Sequence, residues 1–305
     1  MVRFDDKFRF FSDTHVVNIA TGITATPEFN LLNENKLDLS DKSLKVMIIG
    51  DSYIAGGGID FKDRFSQQLK SILNENKLPF NNIYVLDVSR PSSNNLDNNQ
   101  SYFYYVHKFK PDCVILGYNL NDVEGNLVKE SMKSEAAKTS IEKTNSNLNR
   151  SFSKKIYSIY KKSKLLDFTL HKIHDEMKAH GKVVPNSVFD LMLKSYYEDR
   201  DNWEKSKSLL EEVIIDAKEK KIQLYVLKFP EINLLEYPEL FTKTDKVINS
   251  YFNGFPSVTY INGNDIFKGD NTKDYILSKY DGHPNEKAHK KMAVTVSNYV
   301  ISGKR

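Results

Sequence analysis

Ser52 follows a short apolar run, Lys45-Val-Met-Ile-Ile-Gly-Asp-Ser52, and Asp281-Gly282-His283-Pro284-Asn285 stands late in the chain. A serine hydroxyl is a weak nucleophile until a base takes its proton, and an imidazole, which as a class titrates near neutrality, suits that task. A carboxylate beside the imidazole holds its tautomer and stabilises the imidazolium that forms. The three residue types are the minimum for acyl transfer through a covalent intermediate. Each also has a plainer reading when taken singly. Ser52 could cap the segment that follows it, and Asp281-Gly282 with His283 before a proline could be a turn.

The elements that must position these residues alternate between strand and helix. Val46–Ile49 is a continuous apolar run ending at Gly50, as expected of a strand buried on both faces. Helical spacing follows at Phe65, Leu69, Ile72 and Leu73, then a strand over Ile83–Val88, a helix over Leu96–Phe109 and a strand over Cys113–Leu116. The alternation resumes after Asp201 with Trp203, Leu210, Val213, Ile214 and Ala217 on a helix, and a strand over Ile222–Leu227. A helix through Val247–Phe252 and a strand over Val258–Ile261 come next. Asn285 can cap a last helix with Ala288, Met292, Val296 and Tyr299 on its inner face. Five strands with intervening helices predict a mainly parallel sheet covered on both faces. Ligands bind such sheets beyond the carboxyl ends of the strands. Ser52 and the loops after Val88 and Leu116 all fall at those ends.

Two stretches depart from the alternation. Residues 1–44 show no period and read as an irregular N-terminal arm ahead of a domain over 45–305. Residues 123–200 read as a helical insertion. Between Val128 and Lys164 it holds ten Lys or Arg against three Glu, and Phe152, Ile156, Ile159 and Tyr160 share one helical face. Such a helix packs on the domain with its lysines in water, or lies on a membrane surface or an anionic polymer; the first reading is favoured.

Gly56-Gly57-Gly58 invites a nucleotide-binding reading that the spacing excludes. Phe61 stands where G-x-G-x-x-G needs its third glycine, and no Gly-Lys-Ser/Thr follows. The G-x-S-x-G elbow fails too, because Ile54 replaces its second glycine. His171, His174 and Asp175 share a helix face but fall short of the three or four converging ligands a metal needs. No cofactor or metal is expected. His289, a turn or two beyond His283, is expected to border the site or solvent. Tyr102, Phe103, Tyr104 and Tyr105 are expected mainly in the core, with one or two free to stack on a sugar ring.

Three blocks in order resemble the SGNH (GDSL-type) hydrolase superfamily, over about Lys45 to Met292: Gly50-Asp51-Ser52-Tyr53-Ile54-Ala55-Gly56, Asn121-Asp122 and Asp281-Gly282-His283. The resemblance implies a flavodoxin-like three-layer α/β/α sandwich. It also implies Ser52 as nucleophile, His283 as base and Asp281 as the orienting acid. An oxyanion hole would come from the Ser52 N–H, a backbone N–H of the second block and the Asn121 amide. Three features depart from the usual pattern. Ser92 occupies the glycine position of the second block, Asp87-Val-Ser-Arg-Pro-Ser-Ser-Asn94. The closing motif is D-x-H rather than D-x-x-H, a form found in branches that handle polysaccharide acetylation. Asn119 competes with Asn121, which is preferred because Asp122 follows it.

The implied activity is hydrolysis of a small acyl ester, such as acetyl on a carbohydrate. The same triad could pass the acyl group to a polysaccharide hydroxyl, and a non-catalytic carbohydrate-binding protein on the same fold is a third reading. A net charge of +4 over 305 residues does not call for a nucleic-acid partner. With 40% hydrophobic and 28% charged residues the composition is that of a soluble globular chain. Cys113, the single cysteine, excludes an internal disulfide. No apolar run approaches a spanning helix, and the first residues lack a signal-peptide core. The compartment stays open, cell envelope and exterior included.

Overall fold

Ser43–Ile49 (β4) runs through the middle of a five-stranded sheet because six of its seven residues are buried and both faces are covered. The computed structural model describes residues 9–12, 15–17, 24–37, 39, 42–76, 78–126, 192–198, 200–278 and 281–303. The other strands of this sheet are Asn82–Asp87 (β5), Cys113–Tyr118 (β6), Gln223–Lys228 (β7) and Val258–Asn262 (β8). Their order is β5-β4-β6-β7-β8 and every pairing is parallel. This is the flavodoxin-like order, whose switch point lies between β4 and β6.

Period-two alternation sends side chains to two separate cores. Met47, Ile49, Val114, Leu116, Leu224 and Val226 face one way, toward Asn95–Phe109 (α4), Arg200–Glu219 (α5) and Thr242–Asn253 (α6). Val46, Ile48, Ile115, Tyr225 and Leu227 face the other, toward Phe65–Glu75 (α3) and toward Glu286–Ser302 (α8), which comes after the short turn Gly263–Ile266 (α7). The architecture expected from the sequence, helices on both faces of a parallel sheet, is the one found.

Several expectations change in detail. The arm read as irregular contains short strands at Arg9–Ser12 (β1), His15–Val17 (β2) and Thr24–Ala25 (β3) and a helix at Pro27–Asn33 (α1). Strands of two to four residues are too brief to carry a readable period. Thr26 fastens this segment to the sheet by donating to the Val85 carbonyl at 2.8 Å. Tyr299 is 42% exposed rather than on the inner face of α8; Val300, four residues beyond Val296, is buried in its place. Most of the expected helical insertion, with Phe152, Ile156, Ile159, Tyr160, His171, His174 and Asp175, lies outside the described residues. Tyr196 brings the chain back, its hydroxyl 2.9 Å from that of Tyr118 and from the Leu120 carbonyl. Among the described residues no helix is long and apolar enough to cross a membrane.

Beyond the main sheet, Ile276–Ser278 (β9) and Asp281–Pro284 (β10) form an antiparallel ribbon. Opposite it, Ser52–Ala55 (α2) is a single turn at the end of β4. Ile54, fully buried, seats that turn. A Cβ added at Gly50 would lie 2.7 Å from Ile54 Cγ1, and one at Gly117 only 2.3 Å from the same atom. Two glycines on adjacent strands therefore make the slot that Ile54 fills. Gly117→Ala should cost about 1–3 kcal/mol of stability through overpacking. In denaturant titrations the Gly117→Ala/Ile54→Ala double variant should lose less than the two single losses added together. Strict additivity would show that the slot does not exist.

Candidate active site

α2 carries Ser52 because Asp51, not Ser52, does the capping. The Asp51 carboxylate accepts from Tyr53 N at 2.9 Å, and Gly56 closes the turn in the left-handed region at φ 67°. The hydroxyl beside it is thereby left for other work. Ser52 Oγ lies 3.0 Å from His283 Nε2. His283 Nδ1 lies 2.6 Å from Asp281 Oδ1, which also accepts from the His283 backbone N–H at 3.1 Å. An ionised carboxylate only accepts, so Nδ1 carries the proton and a neutral ring presents Nε2 as acceptor to the serine hydroxyl. The fold thus brings together the serine, histidine and aspartate singled out in the sequence.

The ribbon holds this arrangement from outside the sheet. Asn285 is its anchor: the amide donates to the Asp274 and Ile276 carbonyls at 2.9 and 3.1 Å. Its oxygen caps α8 by accepting from Lys287 N and Ala288 N at 3.0 and 3.2 Å. Gly282, between Asp281 and His283, lies against Asn233; an added Cβ would meet that side chain at 2.9 Å. A side chain at position 282 would require the Asn233 amide to move aside. The side chains of His283 and Asp281 stay 39% and 49% exposed, so the site is open among the described residues. A cavity of about 480 Å³ along β8, lined by Asn249, Tyr260 and Tyr299 among others, includes none of the three in its lining.

The second-block loop is bound to the same strand end. Arg90 N donates to the Gly50 carbonyl at 2.9 Å, and Ser93 Oγ reaches that oxygen at 3.3 Å. Ser92 sits in the left-handed region at φ 62° with its side chain exposed. A conformation that favours glycine is therefore occupied by serine, at a backbone cost but with the Cβ turned to solvent. The third block separates its two asparagines. Asn119 is 1% exposed; its oxygen accepts from Leu120 N at 2.6 Å and its amide lies 3.4 Å from Asp51 Oδ2. Asn121 is half-buried, and its amide is one of the groups that favour the ionised Asp51 carboxyl against burial.

Two buried carboxylates back the serine. Burial raises the pKa of Asp51 to about 6 against the bonds from Tyr53 and Asn121, with the Glu231 charge adding to the rise. Asp122 is raised well above the usual range, first by burial and then by the Asp51 charge. Burial raises Asp281 as well, but the His283 N–H, its ring and its charge outweigh that and hold the carboxyl low.

His289 neither borders the site nor meets solvent: it is fully buried and accepts from Phe65 N at 2.8 Å. Burial first, then the Arg64 charge, lowers its pKa to about 3, so it packs as a neutral ring. Tyr102 and Tyr105 are fully buried, and Tyr104 at 42% exposure lies against Lys108. Sequence reasoning missed Tyr53 and Glu231. Tyr53 OH donates to Glu231 Oε2 at 3.1 Å, and its ring centroid lies 4.8 Å from that of His283. A tyrosine beside the serine was the available signal; nothing marked Glu231. Among the described residues no group of three metal-ligating side chains occurs.

No family model matches the chain, and no curated protein does. Several solved structures resemble it. A lipase/acylhydrolase from Enterococcus faecalis has a TM-score of 0.49 at 11% identity, over 86% of this chain and 97% of its own. A family 3 carbohydrate esterase from Clostridium thermocellum has 0.46 at 16%, over 85% and 100%. A putative lipolytic protein of the G-D-S-L family from Desulfitobacterium hafniense has 0.43 at 14%, over 83% and 98%.

Asp51 supplies a test of the electrostatics. Its folded pKa lies above the unfolded value, so the native state binds the extra proton and stability falls as pH rises from about 4 through about 6. Asp51→Asn retains an acceptor for Tyr53 N and removes the charge. Denaturant titrations should show this variant gaining more over wild type at pH 7.5 than at pH 4. An equal difference at both pH values would contradict the buried charge.

Proposed function

We propose that the chain is a serine-dependent ester hydrolase of the SGNH type, with Ser52 as nucleophile, His283 as general base and Asp281 as its orienting acid. One observation carries the reading: Ser52 Oγ, the His283 ring and Asp281 stand in one hydrogen-bonded line of 3.0 and 2.6 Å. In the first step Ser52 Oγ bonds to the ester carbonyl carbon while its proton passes to His283 Nε2. The tetrahedral oxyanion needs donors fixed beforehand. The Ser52 N–H has no intrahelical acceptor at the start of α2. It would share the task with the Ser92 N–H and the Asn121 amide. His283 then returns the proton to the departing alcohol oxygen as the C–O bond breaks, leaving an acyl-enzyme. Water attacks that ester with His283 again as base, releasing the acid and restoring the serine.

The substrate class favoured is a short acyl group, acetyl above all, carried on a carbohydrate. Two things support it: the D-x-H spacing, and the exposure of the His283 and Asp281 side chains, which leaves room for a bulky alcohol portion. Oxidised or redox chemistry is not required for any step.

Turnover of p-nitrophenyl acetate by wild type should fall about 10³-fold or more in Ser52→Ala and in His283→Gln. Undiminished turnover in Ser52→Ala would end the serine mechanism. Acetylated oligosaccharides should release acetate; accumulation of acetylated acceptor instead would make the enzyme a transferase. Sugar binding without turnover would make it a binding protein.

A further inference from the structure

His283 sits on a ribbon that pairs with no strand of the main sheet, and its side chain is 39% exposed. An exposed imidazole on a short ribbon has several rotamers open to it, and only one points Nε2 at Ser52. The bond to Asp281 restrains the ring but comes from the same ribbon, two residues away. The restraint from the body of the fold is Tyr53. Its ring lies 4.8 Å from the imidazole at an interplanar angle of 42°, and also meets Phe229 edge-on at 6.1 Å. Tyr53 in turn is fastened through its hydroxyl to Glu231, on the loop that follows β7.

The same loop reaches the ribbon a second time, because Asn233 lies across Gly282. One short segment therefore touches the back of the D-x-H triplet and fixes the ring packed on its histidine. Pro230, immediately before Glu231, limits the backbone freedom of that segment. Around Tyr53 the carboxylates of Glu231, Asp51 and Asp281 all act on its hydroxyl and keep it protonated, so it stays a donor; burial contributes most to this.

We propose that Tyr53 and Glu231 are a positioning pair, a tether from the β7 loop that holds the His283 imidazole in line with Ser52 Oγ. Neither residue touches the reacting atoms in this assignment. The proposal rests on the serine-hydrolase reading for its effect on rate, and on packing alone for its effect on structure. Misplacing a catalytic group by about 1 Å costs on the order of 100-fold. Loss of a restraint rather than of the group itself should cost about 10-fold.

Crystal structures and steady-state kinetics of Tyr53→Phe, Glu231→Ala, Glu231→Gln and the Tyr53→Phe/Glu231→Ala double variant test the pair, with melting temperatures to confirm folding. Tyr53→Phe keeps the ring and removes only the hydroxyl. Tyr53→Phe and Glu231→Ala should each let the imidazole leave hydrogen-bonding reach of Ser52 and lower kcat about 10-fold with KM within about twofold. Glu231→Gln, whose amide oxygen still accepts, should retain both the wild-type ring position and the rate. The double variant should be no worse than either single one. An imidazole unmoved in Tyr53→Phe and Glu231→Ala overturns the tether whatever the rates, and losses that multiply in the double variant overturn the pairing. An imidazole that moves in a protein whose wild type does not hydrolyse esters leaves the tether standing and overturns the hydrolase reading.

Discussion

Ile54 seated between Gly50 and Gly117 is the contact on which the placement of Ser52 depends. A single turn of helix has too few internal hydrogen bonds to hold its own direction, since nucleating a turn fixes several dihedrals for one bond. α2 has four residues, and its orientation comes from the side chain that plugs it into the sheet. The slot exists only because β4 and β6 are neighbours in the sheet, with both glycines close to their carboxyl ends. The loop after β5 is fastened to the same Gly50 carbonyl, so three strand ends share one fixed point.

The histidine is held by a different principle. Its ribbon has no place in the sheet, and Asn285 fastens it by serving two roles at once, cap of α8 and donor to the carbonyls of Asp274 and Ile276. α8 itself is secured by Ala288, Met292, Val296 and Val300, all fully buried. Helix packing thus anchors the strand that carries His283. The imidazole itself packs on the Tyr53 ring at 4.8 Å, and Asn233 lies against Gly282.

Behind the serine the chain tolerates an unfavourable arrangement. Asp51 and Asp122 are both buried, and the Asp51 charge adds to the cost of ionising Asp122. A core optimised for stability would not pair two acids. Here the carboxylates cap α2 and receive the Asn119 backbone N–H. Polar groups held this way trade stability for a fixed direction, a common condition of sites that must act on developing charge.

Long elements with strong periods were legible from the residues alone. β4, β6 and β7 are apolar runs buried on both faces, α3 and α8 carry their buried stripe at helical spacing, and Asn285 announced a cap. Parallel order and two-sided cover follow from that alternation. The short pieces were not legible: β1 to β3 and the β9–β10 ribbon pair through backbone hydrogen bonds that leave no pattern in so few residues. Tyr299 shows the limit within a helix, since a shift of one residue at 100° per step turns a side chain from core to solvent. The sequence by itself determined which residue types were available for acyl chemistry and which strand ends would carry them. Only tertiary structure decided that Asn119 turns inward beside Asp51, that His289 is a packing residue, and that Glu231 stands against Tyr53. The reason is physical: local propensity and period act over a few residues, whereas these outcomes depend on contacts between segments more than fifty residues apart, which no local pattern encodes.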